Sequence, residues 1–196
     1  MPRTASVKRQ TAETRVEVEL ALDGSGRTEV STGVGFFDHM LTHIARHGVF
    51  DLRVSAEGDR HVDDHHVVED VGIVIGQAFS QAVGDKQGMV RFGAALCPLD
   101  EALVQVALDF SGRAHLAWGL RLPTERVGGF DTELAHEFFR AFTHNAKVAL
   151  HITQQTGDNS HHILESTFKS FARALDQATR LDERLTDVPS TKGTLT

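Results

Sequence analysis

Apolar and polar residues alternate over residues 15–22, with Val16, Val18, Leu20 and Leu22 on one face, the period-two pattern of a half-buried strand. Asp23-Gly24-Ser25-Gly26 supplies turn residues before a further strand over 27–31, so the two strands read as a hairpin. The period then changes. Phe36, Phe37, Met40, Leu41 and Ile44 recur at helical spacing over 36–47, and Gly48 stands where such a helix closes. Leu52, Val54 and Ala56 alternate again over 51–57, and the apolar run 71–83 reads as a second helix before Gly84 to Gly88 ends this half.

The plan repeats. Residues 107–113 share Ala, Leu, Asp, Ser, Gly and Arg with residues 21–27. An insertion over 122–131 is followed by a helix over 132–146, a strand over 147–156, a turn over 157–160, and a last helix opened by His161. Strand, strand, helix, strand, helix in each half points to an internal duplication. Each half is expected to form a small sheet with helices packed on one face, an α+β, two-layer arrangement. The expected organisation is a single domain over 1–196, made of two pseudo-repeats (about 1–88 and 89–186) and a tail, 187–196, that lacks periodicity.

Both halves also carry one chemical pattern. Asp63-Asp64-His65-His66-Val67-Val68-Glu69-Asp70 and His161-His162-Ile163-Leu164-Glu165 each open a helix with His-His-x-x-Glu. Residues four apart share a helix face, so His65 with Glu69, and His161 with Glu165, can each offer an imidazole and a carboxylate to one divalent ion. An acidic helix start, with Asp63 or Asp64 as N-cap, explains the first copy alone; it does not explain a second. His39 and His136 each lie one element earlier. Helical geometry turns His66 and His162 about 100° away from their neighbours, which suggests service to the other half's ion. The resulting sets are His65, Glu69, His136, His162 and His39, His66, His161, Glu165. Four protein ligands leave open positions on a six-coordinate ion, a catalytic arrangement. Manganese, iron, cobalt and zinc all suit these donors. His43 reads as a surface or packed histidine, and His47 as a residue able to line a pocket.

Twelve histidines are the compositional outlier; 40% hydrophobic and 24% charged residues are ordinary for a globular protein. The net charge of −7 argues against non-specific binding of nucleic acid or membrane surface, though not against a small anion. Cys97 is the only cysteine and reads as a core residue of a reducing compartment. With no apolar signal core and no run of membrane-spanning length, a cytoplasmic or mature organellar protein is expected. Arg91, Arg113, Lys169 and Lys192 are candidate anion ligands, with Ser190-Thr191-Lys192-Gly193 able to cradle a phosphate.

Phe36-Phe37-Asp38-His39-Met40-Leu41, residues 64–70, Phe138-Phe139-Arg140-Ala141-Phe142, residues 161–165 and Pro189-Ser190-Thr191-Lys192-Gly193 together resemble the imidazoleglycerol-phosphate dehydratase family of histidine biosynthesis. The resemblance covers essentially the whole chain; Val67 stands where many members have Thr, at a position that is not a ligand. It implies a ribosomal protein S5 domain 2-like fold with two four-stranded sheets; some bacterial relatives carry an additional histidinol-phosphatase domain, for which 196 residues are too few, so a monofunctional enzyme is expected. It also implies a homo-oligomer of 24 subunits with metal sites at subunit interfaces, and Mn2+ as cofactor at two sites per subunit. The implied reaction is a hydro-lyase step, imidazoleglycerol phosphate to imidazole acetol phosphate, through a metal-bound imidazolate and a diazafulvene-like intermediate. The family's Arg-x-Thr-x-Glu matches Arg9-Gln10-Thr11-Ala12-Glu13 and makes Glu13 the acid/base. The implied substrate-binding set is Glu13, His39, His47, His65, Glu69, Arg91, Arg113, His161, Glu165, Lys169, Ser190 and Lys192. Two alternatives remain at this point: a di-metal hydrolase, which needs ions about 4 Å apart, and a non-catalytic metal-assembled shell.

Overall fold

The computed structural model describes residues 3–195. The first half contains β1 (Thr4–Gln10), β2 (Thr14–Ala21), β3 (Thr28–Ser31), α1 (Gly35–Gly48), β4 (Asp51–Gly58) and α2 (His65–Ala82). The second contains β5 (Phe92–Leu99), β6 (Ala102–Asp109), β7 (His115–Gly119), the short pair β8 (Arg126–Val127) and β9 (Phe130–Asp131), α3 (Glu133–Ala146), β10 (Ala149–Thr156) and α4 (Ser160–Thr179). The sheets have orders β1-β2-β4-β3 and β5-β6-β10-β7, so the duplication holds down to strand order. Each half is two layers, and the halves meet helix to helix, α1 against α4 and α2 against α3.

Alternation sets the buried faces. Val16, Val18 and Leu20 of β2 face inward with Leu52 and Val54 of β4; Val104, Val106 and Leu108 do the same in β6. Gly72 and Gly76 let α2 approach α3 closely. A Cβ at Gly72 would sit 2.8 Å from the Phe138 carbonyl oxygen, and one at Gly76 2.7 Å from that of Phe142. Phenylalanines 37, 79, 138, 139, 142, 168 and 171 are fully buried between the layers.

Four sequence expectations need correction. The strands over 15–22 and 27–31 are not a hairpin: β2 pairs with β1 and β4, and β3 runs parallel to the far side of β4. The intervening turn is pinned across β4 because the Asp51 carboxylate accepts the backbone N–H groups of Ser25 (2.8 Å) and Arg27 (3.0 Å). Second, the main sheet of each half has four strands, as the resemblance implies, where periodicity alone marked three, since β1 and β5 precede the alternation that marked the halves. Third, Gly48 is not the left-handed closing residue of α1; Val49 takes that conformation (φ 58°). Gly48 is needed for space, because a Cβ there would meet the Phe50 ring at 2.3 Å. Fourth, β2 and β6 both have eight residues ending at Ala21 and Asp109, so the identity of 21–27 with 107–113 is displaced from the structural register. Among the described residues no helix is long and apolar enough to cross a membrane.

Candidate metal centres and substrate cleft

The pairing of α1 with α4 builds the first centre. One carboxylate stands among three imidazoles and an ammonium. Glu165 Oε2 lies 3.1 Å from His161 Nε2 and 3.3 Å from His39 Nε2. Its Oε1 lies 3.3 Å from His43 Nε2 and accepts from Lys169 Nζ at 2.7 Å. Burial works to raise the Glu165 carboxyl, but Lys169 and His43 outweigh it and hold the group at about 2. Burial pushes His43 down to about 4 against the attraction of Glu165, so its ring is neutral, the form that ligates metal. The His47 ring lies tilted against His43, centroids 5.3 Å apart, and is lowered by burial and by Lys169. The donor atoms of His39, His43 and Glu165 lie within 4.8 Å of one another, a spread that suits an ion bound at about 2.1 Å.

The pairing of α2 with α3 builds the second. His65, Glu69 and Glu137 bring donor atoms within 4.8 Å of one another, with His65 Nε2 3.9 Å from Glu69 Oε2. Arg140 donates to Glu69 at 3.1 Å and also pairs with Glu137. His136 stands next to this group, its Nδ1 3.2 Å from Glu137 and its ring edge-on to Trp118. The helix frames explain this. Both α1 and α3 have 14 residues and close on a left-handed residue, Val49 and Lys147, which puts Glu137 rather than His136 opposite His39. His66 and His162 turn away from both groups, as their periodicity requires. His66 Nδ1 meets Asp59 at 3.0 Å and His162 Nδ1 meets Glu101 at 2.7 Å, contacts that raise both imidazoles.

Local chemistry opens the two helices differently. Asn159 caps α4, its side chain accepting from the N–H groups of His161 and His162. On α2, Asp63 accepts from His65 N at 2.8 Å, while Asp64, at the N-cap position, is held by Arg60 instead. Neither acidic residue replaces the metal reading; both orient the helix start that carries it.

The stretch Arg9-Gln10-Thr11-Ala12-Glu13 forms the end of β1 and its turn. Arg9 and Thr14 both bind the buried Asp70 carboxylate on α2. The Thr11 hydroxyl accepts from the N–H groups of Glu13 (3.1 Å) and Thr14 (3.0 Å). Glu13 is thereby presented beside His66, 3.9 Å from its Nδ1, with its side chain 57% exposed.

Arg91, Arg113, Ser190 and Lys192 line one polar cleft of about 670 Å³. Arg91 is clamped by two bonds to Asp109 (2.6 and 2.9 Å) and donates to the Pro189 carbonyl at 2.8 Å, tying the tail to the cleft. Lys169 lies in the first metal group instead. His43, Glu137, Asp59 and Glu101 escaped the sequence reading as site residues. For His43 a signal existed: it is four residues from His39 and so shares its face.

A profile of the imidazoleglycerol-phosphate dehydratase family matches residues 32–175. The chain is 58% identical over 195 residues to the imidazoleglycerol-phosphate dehydratase of Synechococcus elongatus, covering 99% of this chain and 93% of that one. It is 55% identical to that of Moorella thermoacetica, covering 100% of both. The crystal structure of the Staphylococcus aureus dehydratase superposes with a TM-score of 0.83 at 41% identity, covering 91% of this chain and 99% of that one. The Pyrococcus furiosus structure does so at 0.84 and 35%, covering 96% and 100%.

Proposed function

The chain belongs to the imidazoleglycerol-phosphate dehydratase family and is a metal-dependent hydro-lyase of histidine biosynthesis; from that premise we propose how its own residues perform the dehydration. Two manganese ions per subunit would be held by the sets His65, Glu69, His136, His162 and His39, His66, His161, Glu165, with ligands of one set drawn from different subunits of a 24-subunit, cytoplasmic assembly. One domain built of two pseudo-repeats (about 1–88 and 89–186) and a tail carries all of these. The donor chemistry suits the ion: imidazoles and carboxylates on facing helices. Bound manganese supplies Lewis acidity that lowers the pKa of the substrate imidazole. Glu13 exchanges a proton with the substrate, and its exposed carboxylate next to His66 is the observation that carries this role. His39, His47, His65, Glu69, His161, Glu165 and Lys169 surround the imidazole and glycerol carbons. Arg91, Arg113, Ser190 and Lys192 take the phosphate.

Distance within one chain supports an active site shared between subunits. Arg91 N–H donates to the carbonyl of Ala178 near the end of α4, whereas Glu165 lies near its start. The separation along the helix is roughly 20 Å at 1.5 Å per residue. Glu13 is also remote: Arg3, before β1, binds the Thr179 carbonyl, and Glu13 follows the other end of that strand. A three-carbon phosphate ester cannot bridge these points. Lys192→Ala is therefore expected to raise KM by roughly 10- to 100-fold, the loss of a charge-assisted contact, with manganese content unchanged. Mixed oligomers reassembled from Lys192→Ala and Glu13→Gln subunits are expected to regain part of the turnover that each variant lacks. No recovery in verified mixed oligomers would place both residues of one site on one chain and contradict the shared site.

A further inference from the structure

The second histidine of each motif is held by a carboxylate, but the two carboxylates come from different places in the repeat. His162 Nδ1 is bonded to Glu101 Oε2 at 2.7 Å. Glu101 occupies the β5–β6 turn, directly before Ala102, the first residue of an eight-residue strand. Its other oxygen accepts from the N–H groups of Asn159 (3.1 Å) and Asp158 (3.4 Å), the residues that lead into α4. Glu101 thus ties His162, and the Asn159 cap behind it, to one point.

The counterpart of Glu101 in the first half is Glu13. It lies directly before Thr14, the first residue of the eight-residue β2, and the pairings Thr4 with Ala21 and Phe92 with Asp109 fix the same frame for both hairpins. Yet Glu13 does not hold His66. Its Oε2 stands 3.9 Å from His66 Nδ1, beyond hydrogen-bond reach, and among the described residues its carboxylate makes no hydrogen bond. Asp59 takes the ring instead, at 3.0 and 3.1 Å. The connection that supplies Asp59 runs over residues 59–64, longer than the 157–159 connection between β10 and α4. Its Asp59 N–H donates to the Glu13 carbonyl at 3.1 Å, so the backbones that carry the two carboxylates are tied together.

We propose that Asp59 and Glu101 are positioning residues, holding the His66 and His162 rings with the proton on Nδ1 and Nε2 available to metal, and that Asp59's taking this role in the first half leaves Glu13 free for proton transfer. A metal-ligating imidazole ordinarily donates its second N–H to such a carboxylate, which fixes tautomer and ring orientation. His66 Nε2 has no hydrogen-bond partner among the described residues, and His162 Nε2 comes no closer than 3.8 Å to Asp100. The inference rests on the two-manganese reading above. It adds a division of labour: the turn carboxylate at the equivalent position is structural in one half and chemical in the other.

Manganese titration of the metal-free protein tests it, with oligomer size and unfolding temperature followed in parallel. Glu101→Ala is expected to weaken one of the two ions per subunit by roughly 10- to 100-fold, and Glu101→Gln, which keeps an acceptor oxygen, by less. Asp59→Ala is expected to weaken the other ion similarly. Saturating manganese is expected to restore turnover to Glu101→Ala but not to Asp59→Ala, where Glu13 is drawn onto the vacated His66 Nδ1. Unchanged affinity in Glu101→Ala and Asp59→Ala, or affinity lost only in step with the metal-free unfolding temperature, would overturn the positioning role. Equal rescue of both by manganese would overturn the release of Glu13. Wild-type protein that takes up no manganese would overturn the metal reading itself, an outcome distinct from either.

Discussion

Glu13→Gln is expected to lower turnover by about 10²- to 10⁴-fold, the range over which positioned acid–base groups act. Manganese stoichiometry, oligomer size and unfolding temperature are expected to hold. The substitution removes one ionisable oxygen and keeps the shape of a side chain that makes no hydrogen bond among the described residues, so no hydrogen bond seen there is lost. The backbone of the turn is fixed independently by the Thr11 hydroxyl, and Arg9 with Asp70 anchors the strand to α2. With Glu13 in the proposed acid/base role, the loss belongs in kcat more than in KM. Steady-state kinetics of metal-replete variant protein reads this directly. A Glu13→Gln enzyme with near wild-type kcat would move proton transfer to another residue.

The largest expected stability effect is Phe138→Ala. Phe138 has 0% exposure and its ring meets Phe37 and Phe168 at 5.4 Å and Phe139 at 5.1 Å, so it touches α1, α3 and α4 at once. Deleting a fully buried phenyl ring removes its transfer free energy and leaves a cavity, together about 3–5 kcal/mol. The surrounding rings are themselves packed against further rings, Phe37 on Phe130 and Phe139 on Phe171, and cannot all collapse into the space. For a chain of this length the thermal midpoint is expected to fall by roughly 6–20 °C. Val62→Ala is the control: its side chain is 62% exposed, and the change is expected to stay within about 0.5 kcal/mol. Both are measured on metal-free protein at one concentration, since ligand and assembly add stability of their own. A loss below about 1 kcal/mol for Phe138→Ala would contradict the packing of the two halves through this ring.

The periodic elements were legible because burial imposes them on the sequence. Val16, Val18 and Leu20, and later Phe36 to Ile44, report their partners through spacing alone. Strand pairing was not legible. The turn at Asp23-Gly24-Ser25-Gly26 has the composition of a hairpin loop, and only the Asp51 carboxylate, remote in sequence, carries the chain across β4. The site divides in the same way. The i, i+4 pairs His65–Glu69 and His161–Glu165 are local, and the structure keeps both. Contributions that depend on how helices are phased against each other, such as Glu137 beside Glu69, have no local signature. His43 shares the face of His39 by its four-residue spacing, but its part in the first centre follows from α4 placing Glu165 opposite it. Glu13 is the extreme case: an exposed charge by pattern, it acquires meaning only from the turn that holds it and from the family resemblance. Membership in that family sets aside the hydrolase and shell alternatives.

The most direct test of the account is turnover of imidazoleglycerol phosphate by metal-stripped protein, with and without added manganese, while both samples are sized. The account predicts no dehydration without metal, manganese-dependent formation of imidazole acetol phosphate, and a shift from small to large particles as the shared sites fill. Dehydration at full rate by demonstrably metal-free protein, or a large manganese-loaded assembly that leaves the substrate intact, would contradict it.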